Sequence, residues 1–298
     1  MSIVDAPIGA TAAVVLPGES RRARFWRRFK RQRAAMVAAG FLIVVALAAI
    51  FAPLIAPKDP IEQSLSDSFA NPSSDYWLGA DRLGRDTLSR LIYGARYSLL
   101  AAAQAVAVAV VLGVPLGLLA GFARGWFDSV ASLVADAVLS IPAIILALAI
   151  VGVLGPNLTN AMIAIGIVYA PRLFRVVRGA AISVREETYI DAARASGVGT
   201  LRIARGHVLP NVMSPLIVQI SLALGFAVLA EAAVSFLGLG VQPPDASWGV
   251  MLGQATAQLE DHPVLVLAPG IAIVLTVLAF NVLGDGLNDS LGREIREA

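Results

Sequence analysis

The stretch AAMVAAGFLIVVALAAIFAPLIA, residues 34–56, contains no charged residue. A helix rises about 1.5 Å per residue, so it needs about 20 apolar residues to cross the hydrocarbon core of a bilayer. The stretch therefore predicts a membrane-spanning helix. A secretory signal has a shorter apolar core followed by a small-residue cleavage site, so we expect this helix to be retained.

Similar apolar stretches recur along the rest of the chain. Of the 298 residues, 57% are hydrophobic and only 15% are charged, whereas about a quarter of the residues in soluble domains are charged. The sequence predicts an all-α integral membrane protein in which a basic N-terminal segment, residues 1–33, precedes a transmembrane domain, residues 34–298. Six transmembrane helices are predicted at about residues 34–56, 97–122, 130–154, 159–175, 212–236 and 264–284.

The distribution of lysine and arginine predicts the orientation of these helices. Basic residues crowd the segment before the first helix and recur in residues 176–211, whereas residues 238–263 contain none. Cytoplasmic loops carry an excess of positive charge, so we expect both termini and residues 176–211 in the cytoplasm. Residues 57–96 are an exception, because this predicted outside loop also contains arginines.

The sequence lacks the residues that several kinds of functional site require. The chain has no cysteine, and its two histidines, His207 and His262, are predicted to lie on opposite sides of the membrane. A phosphate-binding loop needs lysine after glycine, and neither Lys30 nor Lys58 follows one. We therefore expect no metal site, no bound cofactor and no catalytic residue, and any ATP hydrolysis is expected in a partner protein.

The segment between the fourth and fifth predicted helices is long and amphipathic. Its sequence YIDAARASG, residues 189–197, predicts two short helices that break at Gly197, the second ending at Pro210. Small residues at Ala192 and Ala193 permit close approach to another surface. A compact helix of this kind can lie in a groove of a partner and transmit a rigid-body movement to the adjoining membrane helices.

This segment resembles the EAA loop of importer permeases, which docks on the cytoplasmic ATPase subunit of ABC importers. The family pattern has glutamate where this chain has Asp191, and usually a branched aliphatic residue where it has His207. The resemblance assigns the coupling role in loop 176–211 to Glu187, Asp191, Ala192, Ala193, Gly197, Leu201, Leu209 and Pro210.

Other blocks narrow the resemblance to the C-type subunit of peptide permeases, the DppC/OppC type. They are WLGADRLGRD (residues 77–86), YGARYSL (93–99), SFLGLG (235–240) preceded by Glu231, and FNVLGDGLND (280–289). The resemblance implies a type I ABC importer permease with a MetI-like fold, which passes di- or oligopeptides across the bacterial cytoplasmic membrane. It also implies a homologous second permease, two ATP-binding subunits that hold ATP and magnesium, and an external peptide-binding protein. Lipid is the only other partner expected, and nucleic acid is not.

Two carboxylates fall inside predicted membrane helices. Asp136 either lines the permeation path or pairs with an arginine, and Glu231 serves either as a gate or as an interhelical contact. Charged residues of the first outside loop either contact the binding protein or form an internal ion-pair scaffold; they are Asp81, Arg82, Arg85 and Asp86. Residues 88–95 predict a separate short amphipathic helix beside them.

Glycine and proline positions predict helix contacts and bends. Gly113, Gly117 and Gly121 recur every four residues, a spacing that permits close packing of helices within one chain or between chains. Pro115 and Pro142 interrupt backbone hydrogen bonding and predict kinks in the second and third helices.

Alternative functions remain open at this stage. A nickel or metal-chelate importer is close to the peptide permeases in sequence pattern. An ion-coupled secondary transporter would use Asp136 and Glu231 as ion sites, and a membrane scaffold would bind other subunits without any substrate flux.

Overall fold

The computed structural model describes residues 21–123 and 125–296; for residues 21–24, 123, 201 and 292–296 it describes the backbone alone. This part of the chain consists of helices and connecting loops, without a β-strand. The helices are α1 (Arg21–Arg31), α2 (Arg33–Ile50), α3 (Ala52–Ile55), α4 (Thr87–Ala123), α5 (Trp126–Leu139), α6 (Ala143–Leu154), α7 (Leu158–Arg185), α8 (Thr188–Ala195), α9 (Thr200–Ile203), α10 (Leu209–Phe236), α11 (Trp248–Ala255) and α12 (Pro263–Arg296).

The long apolar helices match the predicted membrane spans. Helices α2, α4, α7, α10 and α12 are each long and apolar enough to cross a bilayer, and α5 and α6 together form a bent pair that counts as one further span. The prediction of an all-α membrane protein with six crossings is confirmed in this form.

The third predicted helix, residues 130–154, is corrected by the structure. It consists of α5 and α6, which meet at an angle of 94°. Pro142 precedes α6 in an extended conformation with ψ of 124°. Proline has no N–H to continue a helical ladder and disfavours helical geometry at the residue before it, so the break falls at this point. Pro115, in contrast, lies inside the uninterrupted α4.

The second predicted helix begins earlier than the sequence indicated. Residues 88–95 form the first turns of α4 rather than a separate amphipathic helix. The Asp86 carboxylate starts this helix by accepting hydrogen bonds from the Ser89 backbone N–H at 2.8 Å and from the Ser89 hydroxyl at 2.6 Å. A side chain that caps the first exposed N–H groups stabilises a helix start, which explains the extension.

The fourth and sixth predicted helices end later than expected. Helix α7 continues past residue 175 to Arg185, and α12 continues past residue 284 to Arg296. Both extensions carry charged residues that the search for apolar stretches excludes. In α7 these charges have partners on neighbouring helices, described below.

The pairing of α4 with α7 forms the centre of the bundle through its small residues. A Cβ atom added to Gly113 would lie 2.6 Å from the Ala170 carbonyl oxygen, and one added to Gly121 would lie 2.7 Å from the Arg178 carbonyl oxygen. Gly117 meets α7 in the same way between them. The backbones therefore touch, and the predicted glycine contact lies within this chain.

Helix α11 covers the end of the bundle opposite to α8. It packs against α4, α10 and α12, and a Cβ atom added to Gly249 would lie 2.5 Å from the Ala232 carbonyl oxygen of α10. Trp248 is buried at its start, where the indole N–H donates to the Leu91 carbonyl oxygen at 3.0 Å. This end of the molecule is closely packed.

Candidate functional site

Helix α8 ends at Ala195, and the chain turns at Gly197, where the sequence predicts a break. Gly197 has φ of +78°, a left-handed conformation that glycine adopts without strain. Its N–H donates to the Arg194 carbonyl at 2.9 Å, and the Val198 N–H donates to the Ala193 carbonyl at 3.0 Å. These bonds satisfy the last carbonyls of α8 and turn the chain sharply towards α9.

One face of α8 is anchored and the other is open. The Ile190 side chain is fully buried in the main hydrophobic core, and Ala193 packs against that core. Asp191 and Ala192 are exposed, as is Glu187, which immediately precedes the helix. The predicted coupling residues therefore divide into an inward anchor side and an outward side available to a partner.

The second half of this loop differs from the prediction. Pro210 does not end a helix: it lies in the first turn of α10, which follows α9 through a π-helical turn at Ala204–Val208. The wider π turn shifts the carbonyl that the proline ring would otherwise meet, so the helix continues past Pro210. Leu209 is half-buried beside it, and the Leu201 side chain lies outside the described residues.

Side chains connect α8 and the adjoining end of α7 to the membrane helices α4 and α10. The Arg185 guanidinium donates to the Phe122 carbonyl at the end of α4 at 2.8 Å, and the Arg194 guanidinium lies 5.6 Å from the Phe122 ring centroid. The Asn211 amide of α10 donates to the Tyr189 hydroxyl at 3.3 Å. These contacts connect α8 with both α4 and α10.

Glu231 lies at the junction of α4, α10 and α11. Its carboxylate is 0% exposed and accepts hydrogen bonds from the Ser98 hydroxyl at 3.0 Å and the Ser235 hydroxyl at 2.7 Å. The Trp248 backbone N–H of α11 donates to the Ser98 hydroxyl at 3.3 Å. The geometry favours the interhelical contact for Glu231, and its role as a gate stays a prediction.

Sequence reasoning missed most of the Glu231 cluster. Ser235 lies one helical turn from Glu231, so spacing alone brings it to the same face. Ser98 is 133 positions away in sequence and has no signal of its own.

Asp136 lies beside an arginine on α7. It pairs with Arg175, and both side chains remain 56% exposed. Further along the same two helices, the Asp128 carboxylate accepts from both Nε and NH2 of Arg178, the latter at 2.9 Å. The arginine pair proposed for Asp136 is present, and lining of the permeation path stays a prediction.

The charged residues of the first outside loop mostly bond to one another. Asp81 accepts from Arg85 Nε at 2.7 Å and from the backbone N–H groups of Leu83 at 2.8 Å and Arg85 at 3.1 Å. Arg85 is 3% exposed and Asp86 is 2% exposed. The geometry favours the internal ion-pair scaffold for Asp81 and Arg85, whereas Asp86 accepts from Ser89 instead. Arg82 is exposed, and its contact with a binding protein stays a prediction.

Arg90 and Gln254 complete this scaffold, and the sequence did not reveal either. Arg90 is 1% exposed and donates to the Pro60 carbonyl at 3.2 Å. Arg85 and Arg90 both donate to the Gln254 side-chain oxygen of α11, at 3.2 Å and 3.4 Å. The outside loop is thereby fastened to α11.

Hydroxyl groups fix another carboxylate of the same loop. The Ser64 hydroxyl donates to Asp67 Oδ2 at 2.7 Å and the Tyr76 hydroxyl donates to it at 3.1 Å. These two bonds hold the pKa of Asp67 below its ordinary value. Within residues 21–123 and 125–296, no three His, Asp or Glu side chains lie close enough together to form a metal site.

Two family models match this chain. Residues 113–297 match the model described as "Binding-protein-dependent transport system inner membrane component". Residues 20–72 match the model described as "N-terminal TM domain of oligopeptide transport permease C". The two matches together span most of the described residues.

Curated relatives and one solved structure agree with these models. The glutathione transport system permease protein GsiD of Escherichia coli O1:K1 / APEC is 43% identical over 273 residues, which are 91% of this chain and 90% of the relative. GsiD of Shigella sonnei (strain Ss046) is 43% identical over the same shares. A chain of the inward-facing MetNI methionine ABC transporter aligns with a TM-score of 0.55 at 22% identity, covering 70% of this chain and 95% of that one. The last comparison shows a shared fold.

Proposed function

Because this chain belongs to the family of binding-protein-dependent transport system inner membrane components, we propose that it carries short peptides through the inner membrane as half of a translocation pore. It is a permease subunit of an ABC importer, of the DppC/OppC type. An ion-coupled secondary transporter and a non-transporting scaffold are set aside by this membership.

A peptide substrate is supported by two of the similarities. The relatives are named for glutathione, which is a tripeptide, and the N-terminal match is to a permease of oligopeptide transport. Short peptides are the class that these two names share. The alternative is a nickel or metal-chelate substrate, and an uptake measurement distinguishes it from a peptide substrate.

The proposed assembly has a homologous second permease, two cytoplasmic ATP-binding subunits and an external peptide-binding protein. ATP and magnesium would be held by the ATP-binding subunits, and this chain would be a conduit without catalysis. The observation that carries this proposal is helix α8, because it is anchored by the buried Ile190 while Asp191 and Ala192 face outward. Such a surface fits a groove on a partner.

The proposed orientation places both termini and α8 in the cytoplasm. The basic segment that begins with α1 and continues to Arg33 supports this, as does the lack of lysine and arginine in residues 238–263. The α11 end and the first outside loop would then face the binding protein.

Coupling would proceed as a rigid-body movement. Only Glu186 and Glu187 separate α7 from α8, and helical turns run from Thr200 into α10. Closure of the ATP-binding subunits would displace α8, and these short links would pass the displacement to α7 and α10. The pore would then alternate between openings to the two sides of the membrane.

Reconstitution of the complete transporter in proteoliposomes tests this function. We expect uptake of a labelled tripeptide that requires both the binding protein and ATP. Uptake of nickel without uptake of peptide would show that the substrate is a metal and not a peptide. Peptide uptake driven by an ion gradient without ATP would contradict the proposed mechanism.

A further inference from the structure

The arginines of α7 differ in what they contact. They are Arg172, Arg175, Arg178 and Arg185. Arg175 and Arg178 pair with carboxylates of α5, and Arg185 bonds to the end of α4. In the described part of the chain, Arg172 pairs with no carboxylate and instead lies over two aromatic rings, 5.1 Å from the centroid of Tyr169 and 5.2 Å from that of Phe226.

Arg172 also lies deepest of the four. It is 13 positions from Arg185, which corresponds to about 20 Å along a helix, and the hydrocarbon core of a bilayer is about 30 Å thick. Its side chain is exposed on this chain. An arginine at such depth is strongly disfavoured against lipid, so we expect it to face water or another subunit.

The two rings hold Arg172 in a defined place. Tyr169 is 6% exposed, and its hydroxyl accepts a hydrogen bond from the Gln219 amide of α10 at 3.2 Å. The ring centroids of Tyr169 and Phe226 are 5.0 Å apart. Within the described residues the Arg172 guanidinium makes these cation–π contacts and no hydrogen bond, so its N–H groups are available to bind a planar carboxylate through two parallel hydrogen bonds.

A small apolar cavity lies next to the Phe226 ring. It lies between α6, α7 and α10 and is lined by residues that include Ile144, Val168, Phe226 and Val234. Val168 precedes Arg172 by one helical turn, and Phe226 carries the guanidinium on its ring. Phe226 therefore contacts Arg172 and also lines this cavity.

We infer that Arg172, held on Tyr169 and Phe226, binds a carboxylate of the peptide while it crosses the membrane. This inference rests on the proposed function, since a peptide with a free C-terminus brings a carboxylate to the pore. A carboxylate of the second permease is the other source of negative charge, and the following measurements separate the two.

The first measurement compares two probes in the complete transporter: trialanine and trialanine amide, each at a concentration that saturates the binding protein. We expect Arg172→Gln to lower uptake of trialanine by about tenfold and to change uptake of the amide by less than twofold. Arg172→Lys should retain part of the preference for trialanine over its amide, because lysine keeps the positive charge but lacks the planar guanidinium. The control Arg175→Gln should affect both probes by the same factor.

An equal loss for both probes in Arg172→Gln would overturn the inference and assign Arg172 to a protein carboxylate. Uptake of neither probe by the unaltered transporter would instead contradict the proposed function itself.

The second measurement uses the absence of cysteine from this chain. We expect Arg172→Cys to react with a membrane-impermeant thiol reagent during turnover, and to react more slowly when the binding protein is loaded with trialanine. Leu275→Cys, at an exposed apolar position of α12, is the lipid-facing control and should stay unreactive. If Cys at position 172 does not react, or if trialanine does not change its rate of reaction, the inference is overturned. This test does not require the binding protein to accept trialanine amide.

Discussion

The two ends of the bundle use their polar residues differently. At the α11 end, the buried Arg85 and Arg90 both donate to the Gln254 side-chain oxygen, and the buried Glu231 accepts from Ser98 and Ser235. At the α8 end, Asp191 and Ala192 face outward and the helix is held chiefly by Ile190. We propose that the first arrangement makes a rigid cover and that the second presents a small helix that a partner can move.

Replacement of the α8 anchor should have the largest effect. Ile190→Asp places a charge at a fully buried position without a partner, so α8 should detach from the core. We expect peptide uptake to fall to background while the chain still reaches the membrane, measured by uptake and by quantitative immunoblot. Ile190→Val, which removes one methylene, is the control and should keep most activity. Normal uptake in Ile190→Asp would break the assignment of α8.

The rigid cover should depend on Gln254. Gln254→Leu removes the acceptor that Arg85 and Arg90 share. Both arginines keep Asp81 as a partner, so we expect a total cost of about 1–3 kcal/mol. We expect the melting temperature of the purified protein to fall by several degrees. Gln258→Leu one turn later is the matched control, because the Gln258 side-chain oxygen is buried without a hydrogen-bond partner. Equal melting temperatures for the two variants would show that the scaffold adds no stability.

A smaller effect is expected at the end of α8. Gly197→Ala introduces a Cβ at φ of +78°, which costs about 1–2 kcal/mol, although no atom lies within 4 Å of that Cβ. We expect ATP hydrolysis to continue while uptake per ATP falls several-fold. Gly199→Ala is a sharp control, since its Cβ also meets open space and its φ is not left-handed. The same ratio of uptake to hydrolysis in both variants would remove the conformational explanation.

The smallest effect should come from the exposed surface beside the rigid cover. Arg82→Glu reverses an exposed charge, so it should slow association of the loaded binding protein by a few-fold, and more at low salt than at high salt. Surface plasmon resonance on the transporter in nanodiscs measures this rate. Arg82→Lys keeps the charge, so the binding protein should associate with this variant at the normal rate. An unaltered association rate for Arg82→Glu at low salt would contradict a docking role for this loop.

The sequence predicted the membrane helices well where one local property decides them. An uncharged stretch such as residues 34–56 can satisfy its backbone hydrogen bonds in lipid only as a helix, so its composition is enough to predict a helical structure. The helix break at Gly197 was predictable for a similar reason, because glycine is the residue that closes a helix in the left-handed conformation.

Features that depend on contacts between distant segments were not predictable. The sequence predicts a kink at both Pro142 and Pro115; the kink at Pro142 is confirmed by the sharp bend there, whereas α4 continues through Pro115, so tertiary packing decides between the two outcomes. The extension of α7 through its arginines depends on aspartates of α5. Glu231 and Arg90 have partners that are distant in sequence, so the sequence alone does not indicate these contacts.

Cross-linking from the outward face of α8 tests the central claim most directly. Ala192→Cys gives this cysteine-free chain a single reactive group at an exposed position, and a bifunctional thiol reagent is added to the complete transporter with and without ATP. We predict a cross-link to the ATP-binding subunit, formed from the cytoplasmic side and changed in yield by ATP. Modification of residue 192 from outside the cell, or a cross-link only to the external binding protein, would contradict the account.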